Sequence, residues 1–194
     1  MRYTGVTSRG IITPIFKQGD DLVSMIADSV IKAAEKENFS IQDRDIIGVT
    51  EAVLARTQGN YATCEQIAAD IRSKFGGKDL GIVFPILSRN RFLLLLKAIA
   101  MSCEKLYVQL SYPADEVGNS LITLDDLDET QVDPYTDSFT EVEFRKLFKN
   151  TAHIFTGVDY IEVYKNIGKH VEIIFSNNPA YILNYTKNVL NCDI

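Results

Sequence analysis

Histidine occurs only twice in this chain and cysteine three times, and neither falls into a chelating pattern. His153 and His170 are isolated, with no H-x-x-x-H spacing, and Cys64, Cys103 and Cys192 form no C-x-x-C pair. The common zinc signatures are therefore excluded, and His153 is left as a lone acid–base candidate. Three cysteines, odd in number and unpaired in sequence, fit a reducing compartment, so a cytoplasmic protein is expected.

Basic charge is also scarce. Twenty Lys and Arg against 26 Asp and Glu give a net charge of −6 and a pI near 5.0. The cations are dispersed and not interleaved with aromatics, which argues against nucleic acid and anionic membranes as partners. Any phosphate must be held by a local cluster. No apolar run approaches membrane-spanning length, and the opening "MRYTGVTSRGIITP" lacks the apolar core of a signal peptide. G-x-x-x-x-G-K-[ST], G-x-G-x-x-G and G-x-S-x-G are all missing, so a P-loop, a dinucleotide fingerprint and a hydrolase elbow are unsupported.

What is present is an ordinary globular composition, 46% hydrophobic and 24% charged over 194 residues. The pattern predicts a single α/β domain over residues 1–194, with α+β as the alternative: a mixed sheet with βαβ units and helices packed on its faces. "GVTSRGIITPIF" reads as a strand or hairpin arm ending near Pro14. Leu22, Ile26, Val30 and Ala33 line one face of a helix capped by Asp20 or Asp21. Asp45 to Thr50 reads as a buried strand. "TCEQIAADIRSKFGG" is a helix capped by Thr63 and stopped by Gly76-Gly77. "DLGIVFPIL", a helix from Ser88 to Cys103, and "KLYVQLSYP" form a βαβ unit with parallel strands. Residues 114–138 make a long acidic loop, of the kind that is functional or mobile. "TEVEFRKLF", a short helix in "VDYIEVYKNIG", the strand "HVEIIFSN" and a closing helix "NPAYILNYTKNVL" complete the chain. The strand-like "NVLNCDI" at the end suggests an N-terminal part of a longer protein, continuing past Ile194.

Ser88-Arg89-Asn90-Arg91 interrupts two apolar runs where a strand hands over to a helix, the usual ligand position in a parallel sheet. Ser88 is a suitable N-cap, and first-turn N–H groups favour an anion. Arg89 and Arg91 add two forks suited to phosphate or carboxylate. Equally, both arginines could point outward and pair with the acidic loop. Asp115 and Glu116 in "YPADEVGN" follow the second strand of the same unit; with Asn119 they could hold Mg²⁺ or Mn²⁺, or serve as salt-bridge partners, the commoner outcome. Asp159 and Glu162 could share a metal, but a capping box at the start of a helix is the commoner use of that spacing.

"ITPIFKQGDDLVSMI" followed by "IQDRDIIGVTEAVLARTQG" resembles the start of the coenzyme F-420 gamma-glutamyl ligases. The family's "GDDL", "DGD", "VVT" and "VVSKAEG" segments correspond to Gly19 to Leu22, Asp43-Arg44-Asp45, Gly48-Val49-Thr50 and Val53 to Gly59. "FPILSRNRF", "LSYPADEVGN" and "FTGVDY" look like a bacterial branch of its relatives. The resemblance implies a ligase that joins L-glutamate to a deazaflavin coenzyme with GTP and a divalent metal, through an acyl phosphate. It implies small-molecule substrates, and a homodimer is compatible with it. It puts Arg56 at the family's nucleotide-contacting Lys and Asp159 at its metal Asp, with Glu162 in place of an Asn. The family's "G(I/L)P" loop is replaced by "IFK". These correspondences leave two expectations: a ligase with Arg56, Ser88, Arg89, Asn90 and Arg91 on the nucleotide and Asp115, Glu116 and Asp159 on the metal, or a non-catalytic relative that binds an anionic metabolite or serves as an assembly subunit.

Overall fold

The computed structural model describes residues 5–153 and 155–192. The chain divides into two compact units, Met1–Ala62 and Thr63–Ile194. No helix among the described residues is long and apolar enough to cross a membrane.

The first unit holds α1 (Leu22–Lys36) and α2 (Glu51–Gln58). Asp21 caps α1 by accepting the Ser24 N–H at 3.2 Å, as the "GDDL" pattern leads one to expect. Gly19, in the turn before α1, donates its N–H to Thr57 O at 2.9 Å and so joins the two helices. Neither expected strand forms. Residues 5–16 and Asp45–Thr50 join no ladder, and Ile46, expected to be buried, is 94% exposed. A β-prone sequence becomes a strand only when a neighbour accepts its N–H groups, and among the described residues this unit pairs no strand with either segment. Arg44, in the turn between them, adopts φ 73°, the conformation that the glycine of a "DGD" turn accommodates.

The second unit is built on a five-stranded sheet of order β3-β4-β2-β1-β5. Strands β1 (Asp79–Val83), β2 (Lys105–Leu110), β4 (Val171–Phe175) and β5 (Val189–Asn191) are parallel; β3 (Phe139–Thr140) runs antiparallel to β4. The sheet is mixed, the βαβ unit is parallel as its short joints require, and the class is α/β. Before it comes α3 (Cys64–Phe75), with a Thr63–Gln66 capping box and Gly76 closing it in the left-handed region. It packs on α4 (Phe92–Met101), which crosses between β1 and β2. Leu80, Ile82, Leu96, Ile99, Leu106, Val108, Leu110, Ile173 and Phe175 fill the main core with side chains from α6 (Glu141–Leu147) and α7 (Tyr160–Lys165). Residues 114–138 contain a short helix, α5 (Leu124–Thr130), nucleated by a Thr123–Asp126 capping box.

The C-terminal stretch departs from the expected helix. A 3-10 helix (Pro179–Asn184) leads into β5, because the outer edge of β1 offers an unpaired ladder that Val189–Asn191 completes. The 3-10 helix covers the face of the sheet opposite the main core, over Val83 and Ile174. Gly81 makes that approach workable: a Cβ there would lie 2.6 Å from Ile182 Cγ1 and 2.9 Å from Thr186 Cγ2. Gly81→Ala is expected to cost about 1–3 kcal/mol through overpacking. Urea unfolding would show it as a lower midpoint at unchanged slope, and Ile182→Ala in the same chain should make the cost less than additive.

Candidate functional site

Two side-chain clusters stand at opposite ends of α7, and both involve residues singled out by sequence. The first lies at the carboxyl ends of β1 and β2. After β1 the chain turns through Phe84, at φ 53°, and runs along Pro85 to Ser88 before α4. Asp115, 7% exposed, reaches across from the segment after β2. Its Oδ2 accepts the Leu87 N–H at 2.7 Å and the Asn119 side-chain amide at 2.8 Å; its Oδ1 accepts the N–H groups of Val117 at 3.1 Å and Asn119 at 2.8 Å. Four N–H donors replace the water this carboxylate gave up on burial.

Tyr164, from α7, fixes the same segment. Its hydroxyl donates to Ile86 O at 2.6 Å and accepts the Ser88 N–H at 2.9 Å. Burial pushes the Tyr164 pKa well above its ordinary value, so the group stays a neutral donor. Asn177, after β4, completes the corner: Oδ1 accepts the Tyr112 N–H at 3.0 Å, and Nδ2 donates to Tyr112 O and Pro134 O.

On this support sit Arg89, Asn90 and Arg91, all exposed. Among the described residues neither arginine forms a salt bridge, the alternative their sequence position left open. Ser88 has a different role from the one its sequence position suggests. The helix begins at Phe92, and the Ser88 hydroxyl accepts the Arg91 N–H at 3.1 Å in a turn ahead of it. Ser88 O takes the Leu93 N–H at 3.1 Å. Ser88, Arg91 and Leu93 therefore have internal acceptors for their N–H groups, and the two guanidiniums carry the positive charge of the turn. Glu116 is exposed and engaged in an interaction of its own. Arg56 is exposed on α2, in the first unit.

The second cluster surrounds Asp159, which caps α7 by accepting the Glu162 N–H at 3.0 Å. Asp159 Oδ2 also accepts from Arg145 Nη1 at 3.1 Å and from the Thr151 hydroxyl at 3.0 Å. Arg145 Nε donates to Glu141 at 3.1 Å and Nη2 to Glu162 at 3.1 Å, while Lys165 Nζ reaches Glu141 at 2.7 Å. Burial by itself would raise the Asp159 pKa, but the Glu162 N–H, Arg145 and Thr151 outweigh it and hold the carboxyl below its ordinary value. Burial would likewise lower Arg145, and its carboxylate partners, Asp159 foremost, hold it above its ordinary value instead. The two clusters are joined by α7: Asp159 starts it, and Tyr164, five residues on and about 7–8 Å along the axis, reaches the Ser88 turn.

Of the three carboxylates expected on a metal, Glu116 is exposed and the other two have close partners. Asp115 is surrounded by N–H donors and Asp159 is paired with a guanidinium. Among the described residues no group of three or more His, Cys, Asp or Glu is arranged to hold a metal. Of the cavities, one of about 150 Å³ is lined by Ser120 to Thr123, Asp126, Asn150 and Ala152, and a more open one of about 410 Å³ by Asp79 and Leu183 to Asn188. The arginine turn lines neither of them. Sequence reasoning missed Tyr164, Asn177 and Arg145. The i,i+4 spacing of Glu141 and Arg145 was the available signal for the last; the other two look like ordinary helix and loop residues until the sheet brings them in.

A family model described as F420-0:Gamma-glutamyl ligase matches residues 10–182 of the 194. No curated protein and no solved structure gives a significant match.

Tyr164→Phe is expected to cost about 1 kcal/mol and Asp115→Ala about 2–4 kcal/mol, measured by chemical unfolding, because the second leaves several buried N–H groups without an acceptor. Asp159 has a depressed pKa in the folded state, so its contribution is present above the unfolded value of about 3.9 and is lost as pH falls through the folded value. Melting temperature measured between about pH 5 and 2 should fall less steeply in Asp159→Asn than in the parent.

Proposed function

The chain belongs to the F420-0:Gamma-glutamyl ligase family, and from that premise we propose that it is an acid–amino-acid ligase using GTP. It would join L-glutamate to the carboxylate of a deazaflavin coenzyme-like acceptor, acting on small molecules in the cytoplasm. The acceptor carboxylate attacks the γ-phosphorus and GDP leaves, giving an acyl phosphate. The glutamate amine then attacks the acyl carbon, phosphate departs and the ammonium proton is lost to solvent.

The observation that carries this reading, beyond family membership, is a pair of exposed guanidiniums that form no salt bridge among the described residues, at the carboxyl ends of the parallel strands β1 and β2. Arg89 and Arg91 supply planar forks for phosphate oxygens and offset the charge that develops as phosphoryl transfer proceeds. Asp115 and Tyr164 act as positioning residues, since they hold Leu87, Ile86 and Ser88 immediately before the turn. The resemblance alone puts Arg56, in the first unit, in the position of the family's nucleotide-contacting Lys, and its fork suits two phosphate oxygens where a Lys offers a point charge. Mg²⁺ or Mn²⁺ belongs to this proposal only as the companion of the nucleotide's own phosphates, because Asp115 and Asp159 are committed elsewhere.

Those committed carboxylates favour a second reading, in which the family fold binds an anionic metabolite without ligase chemistry, or serves as an assembly subunit. Calorimetry separates the two. Under the ligase reading GTP with Mn²⁺ binds, and Arg89→Ala/Arg91→Ala weakens it by about tenfold or more, ~1.4 kcal/mol, with melting temperature unchanged. Absence of binding at millimolar nucleotide, with heat released by phosphorylated or carboxylate metabolites alone, would select the second reading.

A further inference from the structure

The α6–α7 corner gathers three carboxylates around one guanidinium. Glu141, Asp159 and Glu162 bring three carboxylates together, and Thr151 adds a hydroxyl. Each nitrogen of the Arg145 guanidinium is spent on a different carboxylate, all at 3.1 Å, and Nη1 also faces Thr151 Oγ at 3.4 Å. A divalent ion such as Mg²⁺ demands several oxygens at about 2.1 Å in octahedral array, and it cannot share that space with a guanidinium already using all of its edges.

We propose that Arg145 is the resident cation of the Glu141–Asp159–Glu162 cluster, standing where a divalent ion would otherwise be held, so that Asp159 is not a metal ligand in this chain. Four observations converge on this. The guanidinium is coordinated on all three sides, so its position is set by the cluster and not by one partner. Its side chain is only 30% exposed and those of Glu141 and Asp159 are 15% and 27% exposed, so the pairing is partly withdrawn from solvent screening. Lys165 brings a second positive charge to Glu141, which leaves three negative charges against two positive ones. And Glu162, an acid where the resembled motif carries a neutral Asn, has its added charge met by Arg145 Nη2. An extra acid matched by an internal cation adds no demand for a metal, whereas an extra acid without one would increase it.

The consequence is a corner that couples α6 to α7 without any ion. It does not rest on the ligase reading, and its test contains no nucleotide. Manganese alone is titrated into the full chain and free Mn²⁺ is followed by electron paramagnetic resonance, with melting temperature recorded in parallel. The parent and Asp159→Asn should bind Mn²⁺ indistinguishably, and EDTA should leave the parent's melting temperature unmoved. Arg145→Met, which keeps most of the stem and removes the charge, should melt lower than the parent and be raised by millimolar Mn²⁺, a gain that Arg145→Met/Asp159→Asn loses. One Mn²⁺ per parent chain that disappears in Asp159→Asn would overturn the proposal, as would an Arg145→Met protein whose melting temperature ignores Mn²⁺. Should Arg145→Met fail to fold, the comparison of parent with Asp159→Asn decides by itself.

Discussion

A buried carboxylate organises the carboxyl edge of this sheet. Asp115 collects four N–H groups, one from the segment after β1 and three from its own turn, and so welds two loops that would otherwise move independently. A charge in that position is tolerable only because every oxygen is served. Both oxygens of Asp115 are occupied by these donors. It becomes a support for the chemistry proposed at its neighbours, and the arginine turn stands on the segment it holds.

The helix α7 links that support to the rest of the unit. Its first residue is positioned by Asp159, its buried face by Tyr160, Ile161 and Tyr164, and its reach to Ile86 and Ser88 by a phenol kept neutral through burial. The ion-pair network about Arg145 joins α6 to the start of α7, while Phe144, one residue earlier in α6, stacks on Phe175 at the end of β4. Charge network and core are thus anchored by adjacent residues, and the exposed guanidiniums of Arg89 and Arg91 project from a region whose backbone is held on several sides. Binding a small anion on side chains rather than on backbone N–H groups calls for such stiffness, because a loose turn would have to be ordered at the moment of binding.

Much of this was readable without coordinates. The parallel βαβ unit followed from apolar runs joined by short connections, and the Thr63 and Asp21 caps from single residues placed ahead of periodic segments. The alternative of Asp159 as a helix cap was legible from its spacing to Glu162. Family membership was legible in "GDDL" and the segments after it, and the match extends over residues 10–182. What failed failed for stated reasons. Asp45–Thr50 has strand composition but no ladder partner among the described residues, Ser88 caps a turn four residues ahead of the helix start at Phe92, and "VLN" joined a sheet edge that only the folded unit provides.

Local composition settled the elements: periodicity, caps and glycine stops act over a few residues, and so a single sequence carries them. Tertiary structure decided which charges were spent. Nothing near Asp115 in sequence announces that Leu87 will claim its oxygen, and nothing near Asp159 announces an arginine fourteen residues earlier. Whether an acid is a ligand, a cap or an ion-pair partner depends on donors delivered from other strands and helices. That delivery is a property of the packed sheet, and among the described residues it gave Arg89 and Arg91 no salt bridge.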